Sequence, residues 1–374
     1  FSALALALIP PLFSGFNFAT WVYRALVFLV ISCPCALVIS VPLTYFSGLG
    51  CASKNGILIK GSNYLDALAG VRTVVLDKTG TLTRGVFSVS QIVPDGISSY
   101  ELLELAALAE SMSTHPISMS ICAAYKKTPD ANSVRDITEL SGLGVRALVH
   151  GKTVLVGSGK LLTREGIAFS RPDIPGTIVL VASDGKYVGA IAISDELKSD
   201  SREVVARLRA VGVRKCVMLT GDAAASAMRV ADAVHVDEVY AELLPGDKVA
   251  HIESLLCAGT LAFVGDGIND APSLARADIG VAMGGIGSDA AIEAADVVLM
   301  TDETSRLADA IMISRGTRAI VRQNIVFSLA VKIIFLILGA LGVANMWEAV
   351  FADVGVSIIA ILNATRAMRL LNKR

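Results

Sequence analysis

VRTVVLDKTGTLT, residues 71–83, decides the fold. From Val71 to Leu76 the residues are almost all β-branched or apolar, as in a strand buried on both faces. The run ends at a carboxylate, Asp77, and passes into Lys78, Thr79 and Gly80, a polar turn. Two later stretches repeat the pattern: KCVMLTGD (215–222) and TLAFVGDGIND (260–270). SDSREVVARLRAVGV (199–213), between the first and second, has the spacing of an amphipathic helix. Strands alternating with helices predict a parallel α/β sheet. In such sheets the chemistry collects beyond the carboxyl ends of the strands. Here three strands end in Asp77, in Thr220-Gly221-Asp222, and in Asp266 with Asp270.

Residues 89–194 interrupt the series with a helical piece and then short strands (GVRALVHGKTVLVGS, GTIVLVASDGKYVGAIAI). This block is expected to be a domain inserted between the first and second sheet strands. The flanks have another character. The chain has 374 residues, 53% hydrophobic, with a mean hydropathy of +0.63, which is too apolar for a purely soluble protein. Residues 1–13 read as the tail of a span that begins earlier, and 21–50 as a span interrupted by Pro34 and Pro42. Residues 325–344 and about 349–365 form a second pair, and each of the last three is long enough to cross roughly 30 Å of hydrocarbon. No basic segment precedes the first apolar run, so a signal peptide fits poorly.

Lys54, Lys60 and Arg72 follow the second span, Arg315, Arg318 and Arg322 precede the third, and Arg366, Arg369, Lys373 and Arg374 close the chain. The connections SGFNFAT (14–20) and LGVANMW (341–347) hold no Lys or Arg. The positive-inside rule therefore places the central domains and the C-terminus in the cytoplasm. With 33 basic and 34 acidic residues, neither a nucleic-acid partner nor a long charged tail is expected. Six scattered cysteines give no disulfide framework.

Asp77 at the end of an apolar strand can attack a phosphoryl group and form an aspartyl phosphate. Such a transfer needs positioning and charge neutralisation more than acid–base chemistry. Thr220 and the backbone around Gly221 can donate to phosphate oxygens, Lys248 in PGDK adds a fixed positive charge, and Asp266 and Asp270 suit Mg²⁺.

DKTGTLT (77–83), followed in order by TGD, PGDK and GDGIND, resembles the P-type ATPases. The resemblance implies that Asp77 is phosphorylated by ATP, with Lys78, Thr79, Thr220, Gly221, Asp222 and Lys248 around it and Mg²⁺ on Asp266 and Asp270. Related phosphatases carry a general acid two residues after the nucleophile, where this chain has Thr79, so the phosphoenzyme is expected to persist. STHPIS (113–118) and SGLGVRA (141–147) are similar to the heavy-metal branch of the family. By that resemblance Glu110 and His115 contact the adenosine end of ATP, and Gly142, Gly144 and Gly157 shape the pocket.

The implied fold is α/β plus transmembrane helices. A haloacid-dehalogenase-like parallel sheet forms the phosphorylation domain (62–88 and 195–312), with an inserted α+β nucleotide-binding domain (89–194). Residues 1–61 and 313–374 form a helical membrane domain. No Thr-Gly-Glu occurs, so the actuator domain of the family is not expected in this stretch, which reads as a piece lacking its natural N-terminus. A monomer at the bacterial plasma membrane is expected.

The apolar span holds Cys33-Pro34-Cys35. Proline opens a helix locally, and broken helices at mid-membrane are where transporters bind ions. Two thiolates there favour soft ions over Mg²⁺ or Ca²⁺; the plain alternative is a pair of small hydrophobes beside a kink. Lys332 and Asp353 lie inside the last two spans, where charges default to functional readings. Asp353 can complete a site with Cys33 and Cys35 for Zn²⁺ but is a poor ligand for Cu⁺. Lys332 either balances these charges without metal or promotes release, or it simply snorkels and pairs with Asp353. A lysine and then an aspartate in successive spans is similar to the zinc/cadmium/lead exporters. Three other readings remain: Cu⁺ as cargo, a membrane-anchored haloacid-dehalogenase-like phosphatase, and a non-catalytic metal-binding protein with a relic sheet.

Overall fold

The computed structural model describes residues 2–13, 17–127, 133–140, 142–170, 172, 174, 176–257, 259–266, 270–284 and 289–371. The basic residues Lys373 and Arg374, the middle of GDGIND (267–269), Ser141 and part of SGFNFAT lie outside the described residues.

Three helices open the chain, α1 (Ser2–Phe13), α2 (Phe18–Ser32) and α3 (Cys35–Lys54), followed by β1 (Ile57–Ile59), α4 (Ser62–Ala69) and β2 (Thr73–Asp77). The inserted unit runs through β3 (Thr83–Pro94), α5 (Ser99–Ala109), α6 (Pro116–Tyr125), β4 (Val134–Leu140), β5 (Gly144–Val149), β6 (Lys152–Gly157), α7 (Gly159–Arg164), β7 (Thr177–Ser183) and β8 (Lys186–Leu197). The first sheet then resumes with α8 (Ser201–Ala210), β9 (Lys215–Leu219), α9 (Ala224–Val234), β10 (Glu238–Tyr240), α10 (Pro245–Leu256) and β11 (Leu261–Gly265). It closes with α11 (Ala271–Arg276), β12 (Ile279–Met283), α12 (Asp289–Ala294) and β13 (Val297–Leu299), before α13 (Arg306–Leu341) and α14 (Met346–Thr365).

The seven-stranded sheet has the order β1-β13-β12-β11-β2-β9-β10, parallel throughout except for the β1–β13 edge. β2, an interior strand between β11 and β9, is buried at every residue, which is why its sequence reads as an almost unbroken apolar run. The six-stranded sheet, β3-β8-β7-β6-β5-β4, is antiparallel, and its core also takes the leucines and alanines of α5 and Ile121 and Tyr125 of α6. Two chain crossings, β3 and β8, join the sheets and run past the expected boundaries at 88/89 and 194/195.

Three stretches have the length and composition to cross a membrane: Phe18–Lys54, Arg306–Leu341 and Met346–Arg369. The first is broken between Ser32 and Cys35, whereas Pro42 sits inside α3 without interrupting it. α13 is longer than the apolar run from 325 suggests: its first two turns are buried in the core of the seven-stranded sheet through Leu307, Ala310, Ile311 and Ile313. Further along, a buried polar junction ties three helices. The Asn324 amide donates to Thr44 Oγ1 (3.4 Å) on α3 and to the Ala360 carbonyl (3.1 Å) on α14, and accepts from Asn363 (2.8 Å). Such bonds replace those that hydrocarbon cannot supply.

Candidate active site and intramembrane site

The strand register sets the first site. Asp77 pairs with Leu219 on one side and Leu76 with Val264 on the other, so Thr220, Asp77 and Asp266 emerge at one level where three parallel strands end. The chain then turns tightly through Lys78–Leu82, with Gly80 at φ +70°. A Cβ on Gly80 would fall 1.4 Å from an Asp266 carboxylate oxygen, so only glycine fits. Gly265 similarly leaves room for Asp270, whose oxygen would lie 2.8 Å from an added Cβ.

The carboxylates of Asp77, Asp266 and Asp270 can each place an oxygen within 4.8 Å of the others, the one such ligand group among the described residues. Lys248, near the start of α10, donates to Asp77 at 2.5 Å and to Asp270 at 2.9 Å. Burial and the Asp270 charge push Asp77 up to about 7 against the opposing pull of Lys248. Burial and Asp270 also push Asp266 up to about 6. Carboxyls this crowded release their protons readily only when more positive charge arrives, which is the donor set of a divalent-cation site. Lys78 is buried and forms an ion pair with Asp222. The Thr220 hydroxyl oxygen accepts from the Asp222 amide at 3.1 Å, which leaves its proton free to donate. All these groups except Lys78 line a cleft of about 440 Å³, together with Thr79 and Gly221. A second cleft of about 600 Å³ continues from Lys78, Thr79 and Asp222 toward Phe87, Thr177 and Ile193 at the edge of the inserted unit.

The residues assigned to the adenosine end lie outside both clefts. Glu110 is buried, accepts from Ser118 Oγ at 2.7 Å and is raised by burial. His115 caps α6, its Nδ1 accepting from the Ile117 amide at 3.2 Å. Gly144 and Gly157 face each other across β5 and β6, where a Cβ would meet backbone oxygens at 2.1 and 2.2 Å. Their immediate use is close strand approach. Gly142 takes φ +72° in the turn before β5.

In the membrane segment, the break at Pro34 leaves the Cys33 carbonyl without a helical partner, because the Leu37 amide turns to Pro34 instead. The Lys332 ammonium takes that carbonyl and lies 3.8 Å from Asp353. Pro34, Ser328, Lys332 and Asp353 line one cavity of about 30 Å³, room for a single small ion or water. The thiols depart from the sequence reading, which expected two separate thiolates. Cys33 and Cys35 are joined as a disulfide, their Cα atoms 5.6 Å apart across the proline. The sulfurs thus converge on each other while Asp353 meets Lys332, and the three expected ligands do not form a close group.

Sequence reasoning missed Lys198, a buried lysine bound to the Gly80 carbonyl, and Asp195, which accepts from Thr83. In DELKSD both look like surface charge.

A parallel sheet with aspartates at three strand ends and an inserted unit after the first defines a haloacid dehalogenase-like domain, and the family model of that description matches residues 71–278. The chain is 57% identical over 371 residues to a zinc-transporting ATPase of Synechocystis sp., covering 98% of this chain and 52% of that protein. It is 55% identical over 377 residues to a cadmium, zinc and cobalt-transporting ATPase of Bacillus subtilis, covering 99% and 54%. A crystal structure of a zinc-transporting PIB-type ATPase in the E2.Pi state superposes with a TM-score of 0.89 at 39% identity, covering 98% of this chain and 61% of that one. The chain belongs to the haloacid dehalogenase-like hydrolases, is similar over nearly its whole length to heavy-metal-transporting P-type ATPases, and is a membrane protein. It spans about half the length of the curated relatives it matches.

Proposed function

We propose that the protein containing this chain uses ATP to export a soft divalent cation, Zn²⁺ or Cd²⁺ foremost, with Co²⁺ and Pb²⁺ as further candidates. The reading rests on one observation: a carboxylate cluster around Lys248 and an intramembrane Lys332–Asp353 pair occur in one chain, connected by α13. The sheet domain and its inserted unit face the cytoplasm of a bacterial cell, following the basic residues at the span ends.

An Asp77 oxygen attacks the γ-phosphorus of ATP. The bond from that phosphorus to the β,γ-bridging oxygen breaks, and ADP leaves with the bond's electron pair. Water later attacks the acyl phosphate, releasing inorganic phosphate and restoring the carboxylate. Lys248 holds Asp77 in line and favours its ionised form, while Thr220 and the Gly221 amide orient the phosphoryl oxygens. Lys78 and Asp222 fix each other beside them. Asp77, Asp266 and Asp270 would hold Mg²⁺, which when bound neutralises phosphoryl charge. Glu110, His115, Gly142, Gly144 and Gly157 form the adenosine end, carried to the phosphates by movement of the inserted unit on β3 and β8.

In the membrane, Cys33 and Cys35 in their dithiol form and Asp353 bind the cargo. Lys332, on Asp353 in this structure, is the internal counter-charge that the metal displaces. The names of the relatives and the oxygen ligand both favour zinc-type ions over Cu⁺.

The test is acid-stable ³²P labelling from ATP in the purified full-length membrane protein, comparing Zn²⁺, Cd²⁺, Co²⁺, Pb²⁺ and Cu⁺. Labelling lost in Asp77→Asn and stimulated by a divalent soft metal is the expected result. Stimulation by Cu⁺ alone, or rapid hydrolysis with no labelled intermediate, refutes the assignment.

A further inference from the structure

We propose that Lys198 is a positioning residue for phosphoryl transfer, holding the turn after Asp77 against Asp266 through the Gly80 carbonyl. The proposal rests on the reading of Asp77 as nucleophile. Lys198 follows the last residue of β8, where the chain leaves the inserted unit, and it is only 3% exposed. Its Nζ donates to the Gly80 carbonyl at 2.5 Å and pairs with Asp302 at 2.7 Å. Burying an ammonium is unfavourable unless its partners are fixed, so this placement is a strong constraint on both partners.

Gly80 is the residue whose backbone lies directly on the Asp266 carboxylate, as the 1.4 Å approach of an added Cβ shows. A shift of the Gly80 peptide therefore moves the contact surface of Asp266. The neighbouring carbonyls are anchored from outside as well. Thr304 Oγ1 donates to the Thr81 carbonyl at 2.5 Å, and Ser201 Oγ to the Leu82 carbonyl at 2.6 Å. The Lys198 amide reaches the Leu82 carbonyl at 3.1 Å. Of these anchors only Lys198 brings a charge, and it holds the residue in contact with Asp266. Lys248 touches the reacting carboxylate itself; Lys198 acts one step removed, on the frame in which Asp77 and Asp266 are set. Asp302, its partner, lies in the segment leading into α13, so the same ammonium ties the turn to the base of a membrane helix.

The test uses the full-length membrane protein with Lys198→Met, Lys198→Arg and Asp302→Asn. Three readouts are taken: rapid-quench labelling of Asp77 from ATP across a Mg²⁺ titration, nucleotide affinity, and the thermal unfolding midpoint. Misplacement of reacting groups by about 1 Å costs about 100-fold in rate, and that loss is expected for Lys198→Met, with a raised half-saturating Mg²⁺ concentration. Nucleotide affinity stays within about twofold, the split between binding and turnover that separates positioning from general damage. Lys198→Arg recovers most of the rate, because it can still donate to Gly80 and pair with Asp302. Should Lys198→Met not fold, Asp302→Asn decides, with an expected loss of about tenfold and the same Mg²⁺ shift. The proposal is overturned if Lys198→Met, or Asp302→Asn in its place, matches the parent in rate and Mg²⁺ dependence. It is overturned equally if rate and nucleotide affinity fall together and arginine rescues neither. An unlabelled parent protein that still binds nucleotide defeats the reading of Asp77; a labelled parent with indifferent Lys198 variants defeats only the role of Lys198.

Discussion

Lys248→Met removes the ammonium placed 2.5 Å from Asp77 and 2.9 Å from Asp270 while keeping most of the aliphatic stem. Two consequences act in the same direction. Asp77 already stands at about 7 because burial and Asp270 raise it, and Lys248 is the main influence holding it down. Without that cation the carboxyl rises further, and a smaller fraction is ionised and nucleophilic at neutral pH. The transferring phosphoryl group also loses a fixed positive neighbour. Two unit charges 4 Å apart at an effective dielectric constant of 20 interact by about 4 kcal/mol. At about 1.4 kcal/mol per factor of ten, that is about 1,000-fold in rate. The Lys248 side chain is 11% exposed, so solvent screens little of this. Rapid-quench labelling at saturating ATP and Mg²⁺ over a pH series measures both effects. The expected result is a loss of that order, with the acid limb of the profile displaced to higher pH. A fall below about tenfold with an unmoved acid limb refutes the electrostatic reasoning.

Four further outcomes follow from the same geometry. Mg²⁺ must displace protons from Asp77 (about 7) and Asp266 (about 6), so its affinity falls as pH drops through that window. Titration calorimetry in two buffers checks the proton release, and a pH-independent affinity contradicts it. In the metal-free sheet domain these two raised carboxyls contribute a stability that is full below about 4, where the unfolded carboxyls are protonated too, and that declines until it is lost at about 6 to 7, which urea unfolding across that pH range measures. Gly157→Ala would put a methyl 2.2 Å from the Leu143 carbonyl, so the inserted unit should lose about 2–4 kcal/mol and bind nucleotide poorly. Chemical denaturation and nucleotide titration measure this, and parental values in both count against the close-approach argument. Asp353→Ala should lose Zn²⁺-stimulated ATP hydrolysis by at least about tenfold and keep nucleotide affinity. Unchanged Zn²⁺ stimulation removes Asp353 from the cargo site.

The sheet was readable because a strand buried on both faces must be almost wholly apolar until its end. Thr73–Asp77, Lys215–Leu219 and Leu261–Gly265 each obey that rule and deliver their aspartates or threonine at one edge. α13 was only half readable. Its buried face, Leu307, Ala310, Ser314, Thr317, Val321, Asn324 and Ser328, steps by three and four residues as a helix requires. Most of those side chains are small or polar, because they pack close to other helices, so hydropathy alone places the start too late. Lys198 was invisible for a different reason. A lysine among aspartates looks solvated, and only the fold shows the Gly80 carbonyl waiting for it. The joined sulfurs of Cys33 and Cys35 depend on how the chain turns at Pro34, which spacing does not determine.

α13 runs 36 residues without a proline, its foot set among sheet strands and its far half among lipid-facing helices. At 1.5 Å per residue, Lys332 stands about 39 Å from the foot at Arg306. A stiff beam of that reach magnifies small rotations: a pivot of about 5° at the sheet swings the Lys332 Cα by about 3 Å. That stroke is comparable to the 3.8 Å now separating the ammonium from Asp353, so a modest reorientation at the foot is enough to make or release the pair.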